Sequence, residues 1–115
     1  MQNIVLINPL QTGKLNVFKA FMAEITGPRR EEYTDLLKRY GLKNSKCVYH
    51  KLGNDEFIVV IHELESYALE RLPAWITSAH PFDIWFREQS QRFYDFEKSK
   101  IAGQPQVIAA FDPTS

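Results

Sequence analysis

The sequence predicts an α+β fold, and three observations lead to that prediction. Its 115 residues fit one domain, which we place at residues 1–115. Hydrophobic residues make up 44% of the chain and charged residues 24%, a balance typical of a folded protein. Short apolar runs alternate with segments whose apolar residues recur every three or four positions. We therefore expect strands and helices that follow one another along a single domain.

The first third of the chain predicts a strand followed by two helical segments. Ile4–Ile7 is a continuous apolar run that Pro9 stops, which is typical of a strand buried on both faces. Apolar residues at helical spacing follow, and the break at Gly27-Pro28 divides them into two helices, with Pro28 in the first turn of the second. Gly41 fits the position just after that helix. The two apolar stripes are Leu15, Phe18, Phe21, Met22 and Ile25, then Tyr33, Leu36, Leu37 and Tyr40.

A hairpin is predicted in the middle of the chain, with its turn at Gly53-Asn54. A two-residue turn pairs Leu52 with Asp55 and puts His50 and His62 on opposite faces of the hairpin. A three-residue turn shifts the register by one residue and puts both histidines on the same face. We expect the two-residue turn because Gly-Asn is a recognised hairpin signal, although both registers stay open at this point. The predicted strands are residues 45–52 and 56–64.

The remaining third predicts a short helix, a long helix and a last strand. Ser66 is expected to cap the short helix, which Pro73 ends, and His80-Pro81 to open the long one. Gly103-Gln104-Pro105 is expected to end the long helix, and Val107–Phe111 to form the strand. The apolar side of the long helix is predicted to carry Phe82, Trp85, Phe86, Gln89, Phe93 and Phe96.

This order of elements predicts a ferredoxin-like split βαβ fold, with a four-stranded antiparallel sheet and the helices on one face. The first, third and fourth strands are apolar on both faces, so a monomer would expose a large apolar surface. A two-fold homodimer with the sheets packed face to face covers that surface. We therefore expect a dimeric α/β barrel.

Three segments carry a resemblance to a known family. They are Arg29-Arg30-Glu31-Glu32-Tyr33, the strand Phe57–Ile61, and His80-Pro81-Phe82-Asp83 with Arg87 four residues beyond Asp83. The chain resembles the dimeric α/β-barrel superfamily, and within it a family of small uncharacterised bacterial proteins with a His-Pro-x-Asp segment. The resemblance implies a homodimer with a pocket between sheet and helices or within the barrel, and it supplies no reaction.

The layout from Leu37 to Glu63 also resembles L-rhamnose mutarotase. That family uses a histidine of its first helical region as acid and base. The histidines of this chain stand at positions 50, 62 and 80, so the departure argues against mutarotase chemistry.

Composition excludes several function classes. Fourteen basic and fourteen acidic residues cancel, which leaves no broad cationic face for nucleic acid or an anionic membrane. No segment approaches the ~20 apolar residues of a membrane span. The single cysteine, Cys47, allows no disulfide within the chain and favours a cytoplasmic setting. Three scattered histidines and one cysteine lack the spacing of metal ligands, so we expect no metal and no cofactor.

His62 and His80 are the first candidates for a functional site. His62 interrupts an apolar strand, either as a hydrogen-bonded core histidine or as a pocket residue that binds a ligand or moves a proton. His80 precedes the long helix, where it serves the cap alone or also touches a ligand. Asp83 is expected to accept backbone N–H groups there, and Arg87 is expected to be solvated, to pair with Asp83 or to hold a carboxylate.

Two functions follow from these residues. The first is a homodimeric binding module for a small, largely apolar ligand, such as a fatty-acid-like molecule with a carboxylate head. The second is a cofactor-independent monooxygenase or isomerase that uses His62 or His80 as base and Tyr49 as proton donor. A third interpretation is a packed core without a ligand. The residues expected to line the site are Phe18, Phe21, Met22, Tyr49, His62, His80, Trp85 and Arg87.

Overall fold

The computed structural model describes residues 2–97 and 113–114. The predicted strand Val107–Phe111 and the predicted helix end at Gly103 lie outside these residues. The elements, in chain order, are β1 (Gln2–Pro9), α1 (Leu15–Thr26), α2 (Arg30–Arg39), β2 (Leu42–Leu52), β3 (Asp55–Leu64), α3 (Ala68–Arg71), a 3₁₀ turn (Leu72–Trp75) and α4 (Pro81–Ser90).

The three strands form one antiparallel sheet in the order β1-β3-β2. The helices α1 and α2 connect β1 to β2, and β3 is inserted between these two strands, which is how a split βαβ unit is arranged. The predicted α+β class is confirmed.

The register of the hairpin confirms the two-residue turn. Leu52 pairs with Asp55, and Gly53 adopts the positive φ of 61° that a tight turn of this kind requires. His50 pairs with Phe57, so it lies on the opposite face of the sheet from His62.

The two faces of the sheet differ in their cover. On β3, the alternate residues Ile58, Val60, His62 and Leu64 are buried, and the residues between them are only partly buried. Ile58 and Val60 pack in one cluster with Phe18 and Phe21 of α1. The helices therefore cover the face that carries His62, and none of the described helices covers the face that carries His50, which we call the open face.

Aromatic rings fill the layer between α1, α4 and the covered face. Phe21 contacts Phe86 and Phe93 at centroid distances of 4.9 and 5.1 Å, and Phe18 contacts Phe93 at 5.3 Å. The rings are tilted or edge-to-face, as aromatic side chains prefer. Burial of these rings, at roughly 1.5–3 kcal/mol each, is a main source of stability for the layer.

The predicted long helix is shorter than expected, because α4 ends at Ser90. The chain then turns back onto the end of β1, where Asp95 N–H donates to the Pro9 carbonyl and Gln11 N–H donates to the Phe93 carbonyl. These backbone hydrogen bonds replace those of a longer helix. Phe93 is still buried as predicted, whereas Phe96 is exposed.

Two predicted helix starts also differ. Arg29 precedes the first residue of α2, so Pro28 lies in the turn before that helix rather than in its first turn. Tyr67, not Ser66, precedes α3, and its side chain makes no capping hydrogen bond.

Gly41 ends α2 as the sequence predicts. Its φ of 70° is left-handed, and a Cβ at this position would lie 2.7 Å from Cε2 of Tyr67. Glycine is therefore required both by the backbone and by the ring beside it.

Candidate functional site

The most connected polar group is the carboxylate of Asp83, in the first turn of α4. It is fully buried and accepts two hydrogen bonds from Arg39, at 2.8 and 2.6 Å. The hydroxyls of Tyr40 and Ser78 donate to it at 2.8 and 2.6 Å. All the partners that the structure gives this carboxylate are side chains, so the predicted role as an acceptor of backbone N–H groups is wrong.

These hydrogen bonds keep Asp83 ionised and Arg39 protonated. Burial alone would raise the pKa of Asp83, but the hydrogen bonds from Arg39, Ser78 and Tyr40, with the charge of Arg39, lower it to about 2. The Asp83 carboxylate in turn raises the pKa of Arg39. The cluster is a satisfied ion pair that ties α2 to α4.

His80 provides the cap of α4. Its Nδ1 accepts the backbone N–H of Phe82 at 3.2 Å, so this nitrogen carries no proton in the capped state. Its Nε2 lies 3.8 Å from Oδ2 of Asp35, and both side chains are about half-exposed. The capping role is confirmed, and a ligand contact by His80 stays a prediction.

Arg87 binds the segment between α3 and α4. Its Nη1 donates to the Trp75 carbonyl at 2.6 Å and its Nη2 to the Ser78 carbonyl at 2.7 Å. Both outer nitrogens of Arg87 already donate to the backbone. Arg87 therefore does not pair with Asp83, and these two nitrogens are not positioned to bind a ligand carboxylate.

His62 differs from the other polar groups of the covered face. Its side chain is 5% exposed, and its Nδ1 has no hydrogen-bond partner among the described residues. Burial lowers its pKa, so the imidazole is neutral at pH 7. Native structures rarely leave a buried polar atom without a hydrogen bond, so Nδ1 of His62 is a candidate to hydrogen-bond a bound molecule.

The strand beside His62 is irregular. The register of β2 on β3 shifts between Lys43 and Lys46, so Asn44 and Ser45 stand opposite His62 as a bulge. Asn44 has a φ of 45°, in the left-handed region. Bulges of this kind are frequent beside functional sites.

A group of uncharged polar side chains lies beside this bulge. The Tyr33 hydroxyl is 3.2 Å from the Ser45 hydroxyl, and Cys47 follows two residues along β2. Burial raises the pKa values of Tyr33, Cys47 and Tyr94, so all three stay protonated at pH 7. This edge of the covered face therefore offers hydrogen-bonding groups without charge.

The predicted aromatic lining is mainly core. Phe18 and Phe21 are buried, Met22 packs against them, and Trp85 stacks on Phe21 at 5.8 Å. The outer face of Trp85 is covered by the guanidinium of Arg29, 4.1 Å from the ring centroid.

Tyr49 lies apart from both histidines. It pairs with Ile58, which is four residues from His62 along β3, or about 13 Å at the rise of a strand. Its hydroxyl donates to Oε1 of Glu56 at 2.9 Å, and this hydrogen bond raises the pKa of Tyr49. The predicted pairing of His62 as base with Tyr49 as donor therefore does not form in this chain.

Two open grooves are found on the surface of the described residues, and neither is lined by a predicted site residue. One, of about 280 Å³, lies between the start of β3 and the end of β1. The other, of about 540 Å³, lies between the end of α2 and the start of β2. Within residues 2–97 and 113–114, no three His, Cys, Asp or Glu side chains come together as a metal site, and no helix is long and apolar enough to span a membrane.

The sequence analysis missed the partners of the buried polar groups. Arg39 and Asp83 are 44 positions apart, and no local pattern joins them. The bulge of β2 has a weak signal in the polar run from Lys43 to Lys46, which lacks the alternation of a regular strand.

Comparison of the chain with models of protein families, with curated proteins and with solved structures finds no match. The resemblance to the dimeric α/β-barrel superfamily therefore stays a prediction.

Proposed function

We propose that the protein is a homodimeric binding module for a small, largely apolar ligand. The observation that carries this proposal is the buried Nδ1 of His62, which has no hydrogen-bond partner among the described residues. It lies on the same sheet face as the aromatic core, so a polar atom without a partner shares that face with many apolar side chains. Ligand sites combine these two features.

The charges of the site favour an uncharged head group over the carboxylate that the sequence analysis expected. His62 is neutral, and so are Tyr33 and Cys47 on the neighbouring elements. Arg87, the expected cation, is held by two carbonyls. A buried carboxylate without a counter-charge is costly, whereas a hydroxyl or carbonyl needs only a hydrogen bond. The proposed ligand is thus an apolar chain or ring with a hydroxyl or carbonyl head.

Two matched probes test this proposal. The full chain is titrated with 1-decanol and with decanoate, and binding is followed by tryptophan fluorescence. We expect 1-decanol to bind more tightly, and His62→Leu to weaken it about tenfold, the worth of one hydrogen bond. His50→Leu, the same substitution on the open face, is the control that leaves 1-decanol binding unchanged.

The outcomes separate the proposal from its rivals. Equal binding by His62→Leu and the unmodified chain would contradict the role of His62. Tighter binding of decanoate than of 1-decanol would favour a ligand with a carboxylate head, as the sequence analysis expected. Absence of binding by either probe, with no small molecule retained in native mass spectrometry, would favour a packed core without a ligand.

The homodimer is supported by the open face of the sheet. This face exposes apolar side chains, with Ile7 at 55% and Leu52 at 59%. Lys46 and Asp55 stand on it near opposite ends. A two-fold axis across the strands places Lys46 of each copy by Asp55 of the other, so the face is complementary to a second copy of itself. In the proposed dimer the two sheets enclose these apolar residues, as in a dimeric α/β barrel.

The cofactor-independent monooxygenase or isomerase has less support. Its three groups, His62, His80 and Tyr49, lie in separate surroundings. The single cysteine agrees with a cytoplasmic location for the binding module.

A further inference from the structure

One titratable side chain stands among the apolar residues of the open face. His50 is exposed on β2, between Val48 and Leu52, and it is paired with Phe57 of β3. The other charged groups of this face are Lys43, Lys46, Asp55 and Glu63, which lie toward its two ends. Among the titratable side chains of this face on the described strands, the imidazole of His50 is therefore the one nearest the centre.

The symmetry of the proposed dimer brings the two imidazoles together. The axis that matches Lys46 with the partner's Asp55 passes midway along the strands, close to position 49 of β2. His50 is one residue from this point, so the two His50 side chains come to lie about 7 Å apart along the strand direction. They then project toward each other from sheets packed roughly 10 Å apart.

We propose that His50 makes the dimer pH-dependent, because protonation of the two facing imidazoles drives the subunits apart. This inference rests on the proposed homodimer. Imidazole is the side chain whose charge changes between about pH 5 and pH 8. In the monomer His50 faces water, and Asp55 is its diagonal neighbour across the hairpin. In the dimer two like charges would be buried among Val48, Leu52 and Phe57, while Asp55 is matched with the partner's Lys46.

Sedimentation velocity of the full chain at about pH 7.5 and about pH 5.5 tests the inference. Each subunit must release one proton on association, so the dissociation constant should rise by up to about 100-fold per pH unit on the acidic side. In His50→Phe we expect a dimer whose dissociation constant is the same at both pH values. His80→Asn, which keeps a capping acceptor on α4, is the matched control and should retain the pH dependence.

The possible results are distinguishable. A monomer at both pH values contradicts the proposed dimer itself. A dimer with one dissociation constant at both pH values leaves the dimer standing and overturns the role of His50. A His50→Phe dimer that still dissociates in acid also overturns it, and circular dichroism at both pH values shows whether unfolding is the cause.

Discussion

Arg39 and Asp83 form a two-point ion pair between α2 and α4, with Nη1–Oδ2 and Nη2–Oδ1 distances of 2.8 and 2.6 Å. The carboxylate is fully buried, whereas the Arg39 side chain reaches the surface and also meets Asp35. Asp83 therefore connects α4 to α2 through a buried ion pair.

Asp83→Asn should lower the free energy of unfolding by about 3 kcal/mol, because it leaves Arg39 without its buried counter-charge. Urea unfolding followed by circular dichroism measures the loss. Asp35→Asn is the control, since it removes the exposed carboxylate from the same guanidinium, and we expect it to cost less than about 1 kcal/mol. Equal losses in the two variants would contradict the role of Asp83.

The neutral, buried state of His62 predicts a loss of stability in mild acid. Its folded pKa is lowered from the usual 6.5 by burial, so the unfolded chain binds the proton more readily. This contribution to stability is present above pH 6.5 and is lost as the pH falls below that value toward the folded pKa.

Urea unfolding at several pH values measures how the free energy of unfolding changes with pH. The measurement is made in a His50→Phe background, which removes the proposed pH dependence of the dimer. The chain with His62 should lose up to about 1.4 kcal/mol per pH unit in that window, and His62→Leu should lose less. Parallel pH curves for the two chains would show that His62 accepts its proton in the folded state as easily as in the unfolded one.

Arg87→Lys should loosen the segment between α3 and α4. A lysine ammonium does not reproduce the two separated donors that now bind the Trp75 and Ser78 carbonyls. We expect a loss of about 1–2 kcal/mol and faster chymotrypsin cleavage after Trp75. Arg92→Lys, which alters an exposed contact with Gln89, should leave both the stability and the cleavage rate unchanged.

Charge exchange on the open face tests the packing of the proposed dimer. Lys46→Asp places like charges opposite each other across the proposed interface, so it should weaken the dimer about tenfold in sedimentation velocity. The double variant Lys46→Asp/Asp55→Lys restores opposite charges and should recover the dimer. Lys51→Asp alters the same strand on its other face and should have no effect. A double variant as weak as the single one would rule out this axis.

Several details of the fold could be predicted from residues that are close together in the sequence. The Gly53-Asn54 turn determined the hairpin register, and with it the separation of His50 from His62 on opposite faces. The spacing of Phe18, Phe21 and Ile25 identified the buried side of α1. The end of α4 at Ser90 was not predictable in this way, since the apolar spacing continues to Phe93 while β1 supplies the competing hydrogen bonds.

The sequence by itself determined the order and type of most strands and helices of the described residues, the turn between β2 and β3, and the apolar sides that they bury, because these depend on periodicity and turn chemistry within a few residues. It did not determine where α4 ends or where α2 and α3 begin. Only the tertiary structure decided the surroundings of the buried polar groups. It gave Asp83 four donated hydrogen bonds from three residues, and left Nδ1 of His62 without a partner within the described chain. Such partners come from elements that packing brings together, so the two residues acquire opposite roles, an internal tie and a proposed ligand contact, that no local pattern distinguishes.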